Sequence, residues 1–181
     1  SNGCYSKIIK EALENKSKFY LFDADSRYAS QQDDSDFQFH NVVLSDTEKV
    51  VDYYSNGTSG DSYYKEFTHI YNDVKPIKRE TVSLDKYRKE RNLPLPDLIK
   101  IDTQGSELDI LAGGTECLAN AKVVILECPL IEYNIGSPSF NDYITKMDEY
   151  GFVPKWCVEM HWLDGRMVQI DIAFVKLQEL I

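Results

Sequence analysis

Short apolar runs that each end at a carboxylate are the feature of this sequence that most restricts its fold. Three such runs occupy residues 18–22, 98–101 and 123–126, and they are followed directly by Asp23, Asp102 and Glu127. Strands that are apolar along nearly their whole length are typical of a parallel sheet covered on both faces. A fourth candidate strand, residues 37–44, ends at Ser45 and Asp46. The sequence therefore predicts a sheet of several buried strands.

Helical patterns fall between these runs. Residues 6–16 place their apolar side chains on one stripe. Two further helix starts match the spacing of a capping box, in which polar side chains satisfy the free N–H groups of the first turn: Ser106 with Asp109, and Ser139 with Asp142. The expected helix ends are marked by glycines, at Gly113, Gly114 and Gly151. Strands that alternate with helices predict an α/β fold.

The last stretch of the chain predicts an antiparallel hairpin at one edge of the sheet. Residues 156–162 alternate in character, Asp164 and Gly165 form a turn signal, and residues 167–176 continue as a strand. No strand precedes the first helix, so we expect the first strand of the sheet to be missing and residues 1–181 to form one N-terminally incomplete domain. The predicted fold is a Rossmann-like, mostly parallel sheet flanked by helices, with this hairpin at its C-terminal end.

Composition and charge exclude several classes of function. Of 181 residues, 43% are hydrophobic and 28% charged, which is ordinary for a globular domain. The net charge of −10 repels a phosphate backbone, so nucleic acid is not an expected partner. The longest apolar runs have four residues, so membrane insertion is not expected either. The four cysteines form no CxxC pair, and we expect reduced thiols and a cytoplasmic location.

The middle of the chain has a weaker pattern. Between Asp46 and Asp85 the sequence is rich in turn residues, and we expect loops and short strands there. Residues 75–91 hold seven basic side chains against three acidic ones, which favours a solvated surface helix over a phosphate site.

Carboxylates at the ends of the predicted strands indicate the kind of ligand. In an open parallel sheet, ligands bind beyond the carboxyl ends of the strands, and here those ends carry Asp23, Asp46, Asp102 and Glu127. An acidic crevice repels the pyrophosphate of a dinucleotide but suits a ligand with hydroxyl groups and positive charge. S-adenosylmethionine, with its sulfonium, ammonium and ribose diol, is such a ligand. The turn at Asn2 and Gly3, before the first helix, could hold its carboxylate through free N–H groups.

Residues 96–114, which read PDLIKIDTQGSELDILAGG, carry a family resemblance. They resemble the signature of FkbM-like methyltransferases, a branch of the class I S-adenosylmethionine-dependent enzymes. The similarity continues upstream at residues 81–85 and downstream at residues 124–127, 133–138, 150–152 and 169–175. The resemblance implies a methyltransferase with S-adenosyl-L-methionine as its cofactor.

The resemblance also implies roles for individual residues. Asn2 and Gly3 resemble the tail of the family's cofactor loop, and Asp23 stands where the ribose hydroxyls are expected to bind. Ser45 and Asp46 resemble a segment near the adenine, while Asp102, with Gln104 in the same signature, is placed beside the methionine end. Glu107 is expected to support this loop rather than to touch the methyl group.

Two residues are candidates for catalysis on the acceptor side. Glu127 follows an apolar strand and is the first candidate for a general base or an acceptor-positioning group. His161, in the predicted hairpin, is the second, although a lone His on a strand is more often a surface or packing residue. Asp102 and Glu127 alone offer two carboxylates without a third ligand, so no metal is expected.

The predicted activity is O-methylation of a hydroxyl on a small-molecule or glycan acceptor, such as a sugar or natural product. One alternative is a non-catalytic domain of the same fold with a degenerate cofactor loop. A second is a nucleotide-dependent oxidoreductase, which requires a GxGxxG turn that these residues do not contain.

Overall fold

The structure is a computed structural model and describes residues 17–27, 36–58 and 60–177. The chain divides into two compact units, Ser1–Leu44 and Ser45–Ile181. The helix predicted over residues 6–16 and the cofactor-loop candidates Asn2 and Gly3 lie outside the described residues.

The first unit contains a pair of parallel strands. Strand β1 (Phe19–Asp23) runs beside β2 (Phe37–Asn41), with Phe19 opposite Phe37 and Asp23 opposite Asn41. The rings of Phe19 and Phe37 stack with their centroids 4.8 Å apart. The strand predicted over residues 37–44 is divided in two, because β2 ends at Asn41 and β3 (Val43–Ser45) begins after Val42. The N–H of Val42 donates to the Asp23 carbonyl oxygen at 3.0 Å.

The main sheet of the second unit has four strands in the order β6-β7-β9-β8. They are β6 (Leu98–Ile101), β7 (Val123–Pro129), β8 (Phe152–Leu163) and β9 (Arg166–Lys176). The pair β6 and β7 is parallel, whereas β9 runs antiparallel to both β7 and β8. The predicted hairpin is confirmed, with β8 at the sheet edge. The sheet is less parallel than predicted, because β9 runs antiparallel to β7 as well as to its hairpin partner β8, which leaves β6 and β7 as the one parallel pair of these four strands.

Four helices are described in the second unit: α1 (Leu84–Glu90), α2 (Glu107–Ala112), α3 (Thr115–Asn120) and α4 (Phe140–Glu149). The predicted stops are confirmed, since α2 ends at Ala112, directly before Gly113, and α4 ends at Glu149, two residues before Gly151. Gly113 also allows a close approach, because an added Cβ would lie 2.2 Å from the Ser45 carbonyl oxygen. No helix of the described residues is long and apolar enough to span a bilayer.

The region between Asp46 and Asp85 contains loops and short strands, as predicted. Strand β4 (Val50–Tyr53) pairs antiparallel with β5 (Ile77–Ser83). The surface helix expected over residues 75–91 is therefore wrong for its first half, and only α1 is helical. The ladder between β4 and β5, reinforced by the Lys78–Asp52 ion pair at 2.8 Å, makes this charged segment a strand.

The core of the second unit lies around β7. Val124, Leu126 and Cys128 are fully buried, and so is Phe174 on the neighbouring strand β9. Helix α4 adds the buried side chains of Tyr143 and Met147, which lie on one face four residues apart. This packing fixes the carboxyl end of β7, where the polar site begins.

Candidate active site

The polar site lies where β7, β8 and β9 of the second unit meet. Glu127 is near the end of β7 and stands directly opposite Asp171 of β9, while His161 of β8 stands opposite Gln169. Asp102 follows the last residue of β6. The sheet order therefore brings charged side chains from four strands to one region.

The loop after β6 has an unusual backbone. Gln104 has φ +57 and Gly105 has φ +106, a conformation that L residues rarely adopt. An added Cβ at Gly105 would lie 2.8 Å from the Cβ of Ser137, so glycine is required there for space as well. The tight loop turns the Gln104 side chain toward Glu127.

Buried Glu107 holds this loop in place. Its carboxylate accepts the N–H groups of Thr103 at 2.8 Å and Gly105 at 3.0 Å, and the Tyr143 hydroxyl at 2.5 Å. The side chain is 1% exposed, and burial raises the pKa of its carboxyl above the ordinary value. The expectation that Glu107 supports the loop is confirmed by these contacts.

Gln104 joins the carboxyl groups at the ends of β6 and β7. Its Nε2 donates to Glu127 Oε2 at 2.6 Å and to Asp102 Oδ1 at 3.4 Å. A second amide, Gln169 Nε2, donates to the same Glu127 oxygen at 3.0 Å. Three predicted site residues, Asp102, Gln104 and Glu127, are therefore in contact.

A buried lysine lies between two aspartates of the site. Lys100 Nζ is 3.3 Å from Asp102 Oδ2 and 3.0 Å from Asp171 Oδ2. Burial favours the neutral form of Asp102, but the Lys100 ammonium outweighs it and holds the pKa of Asp102 below its usual value. Asp102 is thus a carboxylate at neutral pH.

Glu127 has the opposite character. Burial first, and then the nearby carboxylates of Asp102, Glu107 and Asp171, raise the pKa of Glu127 to about 9. In this arrangement the group keeps its proton at neutral pH and can donate a hydrogen bond.

His161 faces both Glu127 and Asp171. Its Nε2 lies 3.3 Å from Asp171 Oδ1 and 3.8 Å from Glu127 Oε1. The His161 side chain is 34% exposed, whereas the Asp171 side chain is 2% exposed. The second catalytic candidate therefore stands beside the first, on the solvent side of the cluster.

Asp171 and Lys100 are site residues that the sequence reasoning does not single out. Both lie inside strands, and neither follows an apolar run. The available signal is a charge inside an apolar stretch: Asp171 separates Ile170 from Ile172, and Lys100 separates Ile99 from Ile101. A charged side chain that is flanked by apolar strand residues is buried only when it is paired.

Ser45 and Asp46 belong to a second group of contacts near α2. The Ser45 hydroxyl bonds to Asp46 Oδ1 at 3.0 Å and lies 3.1 Å from the Tyr63 hydroxyl. Tyr63 in turn donates to Asp109 Oδ2 at 2.9 Å. A hydrogen bond from Lys49, at 2.6 Å, lowers the pKa of Asp46. These residues connect to the loop of Gln104 through α2.

Asp23 lies in the first unit, as the last residue of β1. Its Oδ1 accepts the N–H of Asp25 at 2.8 Å, and its backbone oxygen accepts the Asn41 side-chain amide at 3.0 Å. The prediction that Asp23 ends a strand is confirmed.

These features define a mixed α/β protein with a polar site at the carboxyl ends of β6 and β7. The chain belongs to the Methyltransferase FkbM domain family, whose pattern matches residues 4–154.

Two similar proteins carry related names. One is a protein of Sinorhizobium fredii (strain NBRC 101917 / NGR234), "2-O-methyltransferase NoeI", which is 27% identical over 134 residues; the match covers 64% of this chain and 55% of that protein. The other is the crystal structure of Methyltransferase FkbM from Methylobacillus flagellatus KT, with TM-score 0.54, 12% identity and coverage of 95% of this chain and 41% of that one. This chain therefore spans about half the length of these relatives, and the structural likeness shows the fold alone.

Proposed function

We propose that this protein transfers a methyl group from S-adenosyl-L-methionine to a hydroxyl on a sugar or natural-product acceptor. The family supports methyl transfer, and the 2-O-methyltransferase named above supports oxygen as the acceptor atom. The observation that carries the proposal is the contact of Asp102, Gln104 and Glu127 at adjacent strand ends. A single, Rossmann-like domain over residues 1–181 is part of the proposal, and the family match over residues 4–154 includes parts of both units.

The chemistry of the cluster fits a cationic cosubstrate. The donor set is acidic, and Asp102 stays ionised because Lys100 lies beside it. An ionised carboxylate attracts a sulfonium or ammonium group, and this attraction is strong where water is largely excluded. We assign Asp102 and Gln104 to the methionine end.

The remaining cofactor contacts follow the sequence predictions. We assign Ser45 and Asp46 to the adenine end, Asp23 to the ribose hydroxyls, and Asn2 and Gly3 to the methionine carboxylate. For Ser45 and Asp46 the support is the hydrogen-bond chain that links them to α2, the helix that follows the Gln104 loop.

The acceptor side is assigned to Glu127 and His161. In methyl transfer, an acceptor oxygen attacks the methyl carbon, the carbon–sulfur bond breaks, and its electron pair goes to sulfur. The protein contributes by holding oxygen, carbon and sulfur in line and by accepting the hydroxyl proton. We assign the proton to a ring nitrogen of His161, and Glu127, which already carries a proton, to positioning the acceptor. Glu127 and His161 suit this side because they stand next to the Asp102–Gln104 pair, and His161 reaches solvent.

The test is calorimetric titration with S-adenosylmethionine, S-adenosylhomocysteine and NAD. We expect binding of the first two only; binding of NAD alone supports an oxidoreductase, and no binding supports a non-catalytic domain. S-adenosylhomocysteine lacks the sulfonium charge, so Asp102→Asn should weaken S-adenosylmethionine about tenfold and S-adenosylhomocysteine less.

Asp97→Asn is the matched control, because Asp97 is an exposed carboxylate at the opposite end of β6, paired with Lys122. Affinities that Asp97→Asn and Asp102→Asn change equally would contradict the assignment of Asp102. On the acceptor side, Glu127→Ala should leave affinity for S-adenosylmethionine unchanged and slow turnover.

A further inference from the structure

We propose that Glu127, His161 and Asp171 form a binding site for a divalent transition-metal cation. One ligand atom of each residue lies within 4.8 Å of the other two. His161 Nε2 is 3.3 Å from Asp171 Oδ1 and 3.8 Å from Glu127 Oε1.

These separations suit a first-row metal ion. Such an ion binds nitrogen and oxygen ligands at about 2.0–2.2 Å, so two ligands on one ion lie about 3–4 Å apart. The three atoms need only small movements to reach those separations. They also come from three adjacent strands, β7, β8 and β9, and a sheet is a rigid support for a metal site.

In both Asp171 and Glu127, one carboxylate oxygen is bound by other side chains and the second oxygen faces His161. Asp171 Oδ2 is occupied by Lys100 at 3.0 Å, and Glu127 Oε2 accepts both Gln104 and Gln169. Partners of this kind orient the ligands in known metal sites.

Glu127 Oε1 is the carboxylate oxygen of Glu127 that faces His161. The Glu127 side chain is 7% exposed, and its Oε1 lies 3.8 Å from His161 Nε2. An oxygen in this position can bind a cation together with His161 and Asp171 while Oε2 keeps its contacts with Gln104 and Gln169.

The balance of charge favours a divalent ion. Among the described residues, the carboxyl groups of Asp102 and Asp171 contact the Lys100 ammonium, and the Glu127 carboxyl group lies beside Asp171. A divalent cation bound to the Glu127 and Asp171 carboxylates is offset by their two negative charges. Lys100 does not block the site, because it binds the Asp171 oxygen that faces away from His161.

The ligand types restrict which ion would bind. One imidazole nitrogen with two carboxylate oxygens favours Mn²⁺, Fe²⁺ or Zn²⁺ over Ca²⁺ and Mg²⁺, which prefer oxygen ligands only. Since His161 is 34% exposed, the ion would keep positions open on the solvent side. In combination with the proposed methyl transfer, on which this one step rests, an open position would bind the acceptor hydroxyl oxygen.

The experiment measures Mn²⁺ binding in the absence of S-adenosylmethionine. The full chain is treated with EDTA, dialysed and titrated with Mn²⁺, and the free ion is followed by electron paramagnetic resonance. We expect saturable binding at one site, weakened at least tenfold by His161→Gln. His69→Gln is the control, because His69 is an exposed histidine in the short 3-10 helix His69–Tyr71, and it should bind as the wild type does.

A second readout locates the ion. Bound Mn²⁺ should broaden the ring resonances of His161 and leave those of His69 sharp. Glu127→Gln provides a further variant if His161→Gln unfolds, and thermal melting of each variant checks the fold.

Absence of Mn²⁺ binding at millimolar concentration overturns this proposal, as does binding that His161→Gln leaves unchanged. The proposed function is tested separately, because S-adenosylmethionine binding by the EDTA-treated chain would support methyl transfer whatever the result with Mn²⁺.

Discussion

Helices α2 and α4 begin with the same Ser-x-x-Asp spacing, yet their first turns are built differently. At α4, the Ser139 N–H and hydroxyl both donate to Asp142 Oδ2 at 2.7 Å, so the predicted capping box is confirmed. At α2, the Ser106 hydroxyl donates to Thr103 Oγ1 at 2.8 Å, and no capping hydrogen bond forms from its side chain. Asp109 accepts the hydroxyls of Tyr63 and Tyr64 instead, so the capping box predicted there is wrong.

The difference shows that contacts within a buried polar site can take the place of a capping box at the start of a helix. The start of α4 is exposed, and its two polar residues satisfy each other. The start of α2 lies under the Gln104 loop, where Glu107 already accepts the free N–H groups. A capping box at α2 would be redundant, and Asp109 is left to bind side chains from a distant loop.

The largest effect is expected from Glu107→Ala. This change leaves two backbone N–H groups and the Tyr143 hydroxyl without their buried partner, and we expect a loss of about 3 kcal/mol in the free energy of unfolding. Urea denaturation measures it. Glu149→Ala, at the exposed end of α4, is the control and should change stability by less than about 0.5 kcal/mol. Similar losses for the two variants would refute the support role of Glu107.

Tyr143→Phe should have a smaller effect of the same kind. It removes one buried hydrogen bond to Glu107 and keeps the ring in the core, so we expect a loss of about 1.5 kcal/mol. Tyr150→Phe, at the end of the same helix, should be nearly neutral. The measurement is again urea denaturation, and a neutral Tyr143→Phe would show that Glu107 does not depend on this contact.

Ser139→Ala should cost about 1 kcal/mol, the usual value for losing a helix cap. In an Asp142→Asn background the same change should cost less, because the two side chains act as one unit. A double-mutant cycle followed by thermal melting measures the coupling. Ser106 and Asp109 do not bond to each other, so the coupling between them should be smaller than that between Ser139 and Asp142.

The smallest expected effect is an opposite dependence on pH at the two helix starts. Hydrogen bonds from Ser139 lower the pKa of Asp142, so its stabilising contribution is present above about pH 4 and is lost as the pH falls. Burial raises the pKa of Glu107, so folding becomes less favourable as the pH rises above about 4.5, where the unfolded carboxyl ionises. Comparing Asp142→Asn and Glu107→Gln with the wild type between about pH 2.5 and 8 should show these opposite slopes, the first below about pH 4 and the second above about pH 4.5.

The sequence predicts the elements whose signals are local. Strands β6 and β7, the hairpin of β8 and β9, and the start and end of α4 follow from runs, turns and caps that lie within a few residues. The carboxylates Asp102 and Glu127 are found together for the same reason, because they end two adjacent parallel strands.

What the sequence does not predict depends on pairing between distant segments. Residues 77–83 form strand β5 because β4 pairs with them. Their charged side chains do not show the apolar pattern by which a strand is recognised in a sequence. Asp171 reaches the site because β9 inserts between β7 and β8, which sets Asp171 opposite Glu127. The register of such a pairing is not encoded in either strand alone.

The tight turn at Asp164 and Gly165 has a consequence for how the polar site assembles. His161 and Asp171 are only ten residues apart and lie on the two arms of one hairpin. Hairpins close in about 1–10 μs, so these two side chains can meet early during folding. Glu127 joins them only when β7 docks against β9, a slower event that spans a longer stretch of chain. Two of the three side chains therefore come together within one hairpin, and the third joins them only when β7 has paired with β9 in the central sheet.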